Sequence, residues 1–126
     1  MRKGFTMIEL VIIIVILAVL AAVAIPRYID LQNQANESAE AGVAGGVRAG
    51  IATAYIEQCA TGACNWPTSL DSVAVSTTCD STNPCFGNVL EQEGLADGSW
   101  AKDATGDYDG PDGGSYSYNS ADGSFE

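Results

Sequence analysis

The sequence predicts an α+β chain: one long N-terminal α-helix whose second half packs on a small antiparallel sheet. Three observations carry that prediction. Leu10 to Ile25 contains no polar residue. Tyr28 to Gln58 continues in good helix formers and places Val43, Val47, Ile51 and Ala54 on one face at helical spacing. From Cys59 onward Gly, Pro, Ser, Thr and Asp dominate, the helical period vanishes and short strand patterns follow one another. The chain has 126 residues. Setting aside the apolar segment leaves roughly 100 residues, enough for one small domain with a modest core.

Residues 1–4, Met1-Arg2-Lys3-Gly4, form a short positive tag ending in glycine. Residues 5–26 form the apolar half of the helix. Phe5 to Ile25 measures about 31 Å as a helix, which matches the hydrocarbon thickness of a membrane. Glu9 sits at the rim of this run, and an ionised side chain there is costly enough to be a functional candidate by default. Pro26 closes the run; a proline inside a helix removes a hydrogen bond and clashes with the preceding turn, so a kink or a locally melted stretch is expected near Ala22 to Pro26. Residues 27–58 read as an amphipathic helical half. Its glycines Gly42, Gly45, Gly46 and Gly50 each weaken it by up to about 1 kcal/mol relative to alanine, for close backbone approach or for mobility.

Residues 59–126 read as a globular head. Cys59 to about Cys85 is a loop region, with Trp66, Leu70, Val73 and Val75 packing it onto the sheet. Phe86–Leu90, Gly98–Lys102 and Gly114–Asn119 are the strand candidates, with a turn at Ser120–Gly123 leading into Ser124–Glu126. Asp107, Asp109 and Asp112 superficially resemble a calcium loop. The third acid comes one residue late and position twelve is Tyr118, so a solvated acidic turn is the plainer reading and the acids are only weak calcium candidates.

Four cysteines occur as Cys59-x4-Cys64 and Cys79-x5-Cys85. An even count behind an N-terminal export signal points to disulfides in an oxidising compartment. Three pairings are possible; the sequential one, 59–64 and 79–85, is preferred because each bond staples a Gly- or Pro-containing loop. Neither pair has the CxxC spacing of zinc sites. The net charge of −11, with only Arg48 and Lys102 following Arg27, argues against nucleic acid as a partner. There is no histidine, nucleophile motif or paired catalytic constellation, so enzyme activity and a cofactor are not expected.

Three readings compete for the N-terminal segment. A cleaved secretory signal has Arg2 and Lys3 as its n-region and Ala22-Val23-Ala24 as a cleavage site, but Pro26 and Glu9 both sit badly in it. A plain membrane anchor keeps Arg2 and Lys3 cytoplasmic and the head outside. The third reading explains more residues. Lys3-Gly4-Phe5-Thr6-Met7-Ile8-Glu9-Leu10, followed by a long aliphatic run, closely resembles the N-terminal motif of type IV pilins and pseudopilins. The likeness covers the segment through about Pro26; beyond it the resemblance is architectural.

That resemblance implies a specific processing and assembly route. A membrane-embedded prepilin peptidase cuts between Gly4 and Phe5 and methylates the new amine of Phe5. The chain is then a single-pass inner-membrane protein with a cytoplasmic N-terminus, later drawn by pilus or secretion machinery into a homopolymer of itself outside the cell. In the polymer, Glu9 of one subunit neutralises the Phe5 amine of its neighbour, and the helix can lose helicity near Pro26. The implied function is a structural subunit of an extracellular type IV filament for adhesion, motility or uptake. The alternatives are a pseudopilin of a type II secretion system, a conductive fibre using Phe5, Tyr28 and Tyr55, and a secreted binding protein with a conventional signal.

Overall fold

The computed structural model describes residues 3–91 and 94–126, so Met1 and Arg2 of the positive tag lie outside the described residues. The chain divides into two compact units, Met1–Ala35 and Asn36–Glu126. Among the described residues the elements are helix α1 (Met7–Ala60) and strands β1 (Thr77–Thr78), β2 (Ala101–Ala104), β3 (Asp107–Asp109), β4 (Ser115–Asn119) and β5 (Ser124–Phe125). The strands form one antiparallel sheet in chain order. The α+β class read from the sequence is the class that folds.

In the first unit, α1 exposes its apolar side chains all round: Leu10, Ile14, Leu17, Val19, Val23 and Ile25 are each about half accessible. An 18-residue window there has a mean hydropathy of 3.3 and none of it is buried, so this helix is long and apolar enough to cross a membrane by length and composition. Ala22 to Pro26 keep helical backbone. The locally melted alternative therefore does not describe this state, although Pro26 has no N–H to offer the Ala22 carbonyl.

In the second unit, the face expected from helical spacing turns inward. Ala44, Val47 and Ile51 are buried, and Val43 and Ala54 are half-buried. Leu70, Cys79, Cys85, Phe86, Trp100, Tyr108 and Phe125 complete the core. Phe86 is its centre, with ring centroids 4.4 Å from Tyr108, 5.6 Å from Trp100 and 5.8 Å from Phe125. Aromatic contacts of this kind add about 0.5–1.5 kcal/mol each beyond the area they bury. They offset the left-handed backbone of Phe86, whose φ of 61° costs a side-chain-bearing residue roughly 1–2 kcal/mol.

The helix glycines separate cleanly. A Cβ at Gly50 would collide with the Val89 carbonyl, so this position is a close backbone approach, whereas a Cβ at Gly45 would meet nothing within 4 Å. Two substitutions of the same kind should therefore have opposite signs. In thermal melts, Gly50→Ala is expected to destabilise the head by about 1–3 kcal/mol through overpacking. Gly45→Ala should stabilise it by about 0.5–1 kcal/mol through helix propensity. Equal effects would contradict this packing.

The sheet differs from the sequence reading in four places. Strand β1 (Thr77–Thr78) forms inside the expected loop region, where it pairs with Ala101 and Lys102 of β2. Phe86–Leu90 is a turn rather than a strand: the Val89 and Leu90 amides donate to the Phe86 carbonyl, and the Phe86 amide is taken by Asp71. Asp107–Asp109 is strand β3 rather than an acidic turn, because Tyr108 between the two acids packs into the core. The expected strand at Gly98–Lys102 begins only at Ala101, since the Trp100 carbonyl accepts from the Cys79 amide in the stapled loop. Tyr116 and Tyr118 do alternate with serines on β4 as expected, and Lys102, Tyr108 and Tyr116 lie in register across β2, β3 and β4. Of the loop residues expected to pack, Leu70 is buried and Trp66 and Val73 half-buried, but Val75 is exposed. Trp66 stacks on Tyr55 of the helix at 4.1 Å, so it ties the loop to α1.

Two buried carboxylates organise the head, and neither was expected. Glu40, 5% exposed, occupies the same helix face as Val47. Its Oε2 accepts the Asp112 amide at 2.8 Å and its Oε1 accepts the Tyr116 hydroxyl at 3.0 Å. A Cβ at Gly114 would fall on this carboxylate, so the β3–β4 turn needs glycine there to wrap it. Asp71, 4% exposed, accepts Lys102 Nζ at 2.5 Å, the Tyr108 hydroxyl at 2.8 Å and the amides of Val73 and Phe86 at 3.1 and 3.2 Å. It links the stapled loop to β2 and β3.

This arrangement has a pH signature. Burial first, then the hydrogen bond and negative charge of Asp71, push the Tyr108 hydroxyl above its ordinary value of 10.0. The fold thus holds the neutral phenol. The resulting stability is complete below about pH 10 and is lost as pH rises toward the folded value. The head's melting temperature should fall above about pH 10, and less steeply in Tyr108→Phe. Identical alkaline slopes in the two proteins would contradict the assignment.

Candidate assembly site at the start of the helix

Residues 3–6 are non-helical and α1 begins at Met7, which places Thr6 at the N-cap and Glu9 at the third helical position. The pair forms a capping box. Glu9 Oε2 accepts both the Thr6 amide at 2.8 Å and the Thr6 hydroxyl at 2.6 Å, while the Glu9 amide donates to Thr6 Oγ1 at 3.3 Å. Orphan donors at the helix start are satisfied reciprocally, and a carboxylate is favoured there by the helix dipole. The T-x-x-E spacing carried this signal in the sequence, but the sequence reading used Glu9 only for assembly and did not single out Thr6.

The structure brings the expected processing and assembly residues together. Lys3, Gly4, Phe5 and Glu9 line one open hollow of about 170 Å³. The Gly4–Phe5 bond lies outside the helix, where backbone can be extended, and Phe5 and Met7 are about 80% exposed. From this hollow the apolar surface of α1 continues through Ile25 to Tyr28, Ile29 and Leu31, all exposed. Contiguous apolar surface on this scale marks a membrane or protein interaction site. The carboxylate at its rim is positioned by Thr6 at the start of its own helix.

Other expected site residues lie elsewhere. Cys59 joins Cys64 just past the helix end, and Cys79 joins Cys85 within the core, which is the sequential pairing. Asp107 and Asp109 flank Tyr108 on β3, and Asp112 lies in the following turn with its amide on Glu40. Asp109 Oδ1 accepts the Ser115 hydroxyl at 2.7 Å. Among the described residues no three His, Cys, Asp or Glu side chains converge as a metal set would.

Comparison with known proteins bears on the same segment. Residues 1–25 match the family model of the prokaryotic N-terminal methylation motif. Over 55 residues the chain is 43% identical to the type IV narrow pilus major component PilA5 of Thermus thermophilus, covering 44% of this chain and 47% of that protein. The chain thus spans about half the length of this curated relative. No solved structure matches it. What these matches establish is that the N-terminal segment of this chain carries the prokaryotic N-terminal methylation motif.

Proposed function

We propose that this chain is a structural subunit that polymerises through its N-terminal helix into an extracellular type IV filament serving adhesion, motility or uptake. The observation that carries the reading is the wholly exposed apolar face of α1 with one carboxylate at its rim. A prepilin peptidase removes residues 1–4 and methylates Phe5. Residues 5–26 hold the subunit in the inner membrane with the N-terminus cytoplasmic, residues 27–58 carry the helix toward the head, and residues 59–126 form the surface of the fibre. Assembly machinery in the inner membrane then transfers each helix from lipid into the filament core, where Pro26 is the point of kinking. There Glu9 exchanges its Thr6 partners for the Phe5 amine of a neighbouring copy, because an unpaired charge in a dry bundle is costly and a paired one is tolerated.

The resemblance to a narrow-pilus subunit favours a surface fibre over a secretion pseudopilus. Electron microscopy of fibres sheared from cells making the chain tests this directly. Filaments built of this chain and extending beyond the envelope are expected. Confinement to the periplasm would assign it to a secretion apparatus, and release as a soluble monomer would contradict polymerisation.

A further inference from the structure

Asp71, Lys102 and Tyr108 form a buried titratable group in the head for which polymerisation has no use. Their placement is more specific than an ion pair requires. Lys102 Nζ donates to Asp71 Oδ1 at 2.5 Å and to the Val73 carbonyl at 2.8 Å, so the amine is held against the carboxyl group in one orientation. The other carboxyl oxygen, Oδ2, receives two donors of its own, the Tyr108 hydroxyl at 2.8 Å and the Phe86 amide at 3.2 Å. Lys102 and Asp71 are 6% and 4% exposed, and Phe86 is fully buried beside them. One oxygen thus faces an amine while the other sits in a two-donor cradle, in a site closed to bulk water.

We infer that Lys102 and Asp71 condense into an intramolecular isopeptide bond. The ammonium gives one proton to Oδ1, leaving a neutral amine beside a neutral acid. Nζ attacks Cγ and forms the C–N bond, and the negative charge that develops on Oδ2 is held by the Tyr108 hydroxyl and the Phe86 amide, as in an oxyanion hole. A second proton passes from nitrogen to Oδ1, the Cγ–Oδ1 bond breaks, and Oδ1 leaves as water. The amide nitrogen keeps the third hydrogen. The step consumes nothing else: an ammonium and a carboxylate become an amide and one water.

Three features favour the product. Two buried charges, each costly to keep from water, are replaced by an uncharged group. The fixed contact makes the reaction effectively unimolecular. A hollow of about 110 Å³ lined by Leu70, Lys102, Thr105 and Tyr108 gives the departing water a place beside the site. The bond would tie the stapled loop to β2 across 31 positions of sequence, a third covalent restraint in a head already holding two disulfides.

Mass spectrometry of the purified full chain, reduced and unfolded, tests this without reference to fibre formation. The expected result is a single tryptic peptide, residues 49–126, uncut at Lys102, joined internally between Asp71 and Lys102 and lighter than its sequence by one water. Lys102→Arg, which keeps the charge but not the condensing amine, should show cleavage after position 102 and the full mass. Tyr108→Phe should slow joining on the order of 100-fold, as loss of an oxyanion donor does. Separate peptides at full mass from the unsubstituted chain, with trypsin cutting at Lys102, would overturn the proposal and leave an ion pair only. Unchanged joining in Tyr108→Phe would overturn the part assigned to the hydroxyl.

Discussion

Glu9→Ala is expected to leave the chain inserted in the membrane and processed, but to cut the yield of sheared fibres on the order of 100-fold or more. Insertion depends on the apolar run from Leu10 to Ile25, which the substitution does not touch. The proposed processing acts at the non-helical Lys3-Gly4-Phe5 stretch, which precedes the helix. Under the proposed assembly, what the substitution removes is the partner for the Phe5 amine. In that proposal the amine stays in contact with headgroups while the subunit is in the membrane, where charge is tolerated, and enters a dry bundle on assembly, where a lone charge is penalised by several kcal/mol. The loss should therefore appear only at polymerisation. The same substitution also removes half of the capping box with Thr6, which frays the first turn but does not discriminate between membrane and fibre. Immunoblots of membrane and sheared fractions separate the two effects. Normal fibres from Glu9→Ala cells would show that charge pairing is not what sets the register in this filament.

Asp71→Ala should have the largest effect on the head. It leaves Lys102 buried without its carboxylate and strips acceptors from the Tyr108 hydroxyl and from the Val73 and Phe86 amides. Removing one partner of a buried pair costs about 3–5 kcal/mol, against a total stability of roughly 5–15 kcal/mol for a domain. Loss of near-ultraviolet ellipticity and a melting transition displaced by tens of degrees, or absent, are expected. Lys102→Met, which also lacks the amine needed for the proposed condensation, should be milder than Asp71→Ala, because the carboxylate keeps three donors and the buried methylene stem is replaced by an apolar one. A change within about 0.5 kcal/mol for Asp71→Ala, as at an ordinary surface site, would contradict its place at the centre of the head.

The sequence exposed those features that depend on local spacing. Val43, Val47, Ile51 and Ala54 declared the buried helix face, and the Tyr116 and Tyr118 alternation declared β4, because each period is set by neighbours along the chain. Features set by distant partners were hidden. Phe86–Leu90 looked like a strand because its apolar content is high; its left-handed Phe86 backbone is held by distant partners, Asp71 fifteen residues earlier on its amide and the rings of Trp100, Tyr108 and Phe125. Asp107–Asp109 looked like a loop because acids dominate it, yet the burial of one tyrosine makes it a strand. Glu40 was masked by its own chemistry: an acid on an apolar helix face reads as an interruption until the β3–β4 turn supplies its donors. At the start of the helix, the motif around Gly4, Phe5 and Glu9 was legible in the sequence, while the Thr6 cap within it was present in the spacing and overlooked.

The central claim is that the apolar helix is kept and becomes the core of a polymer. The mass of the mature N-terminal peptide tests it most directly. The account predicts a chain beginning at Phe5 and carrying one methyl group on its amine, with Glu9 and the whole Leu10 to Ile25 run retained. A mature chain beginning at Ile25, cut after Ala22-Val23-Ala24, would mean that the helix is a discarded signal and would contradict the account.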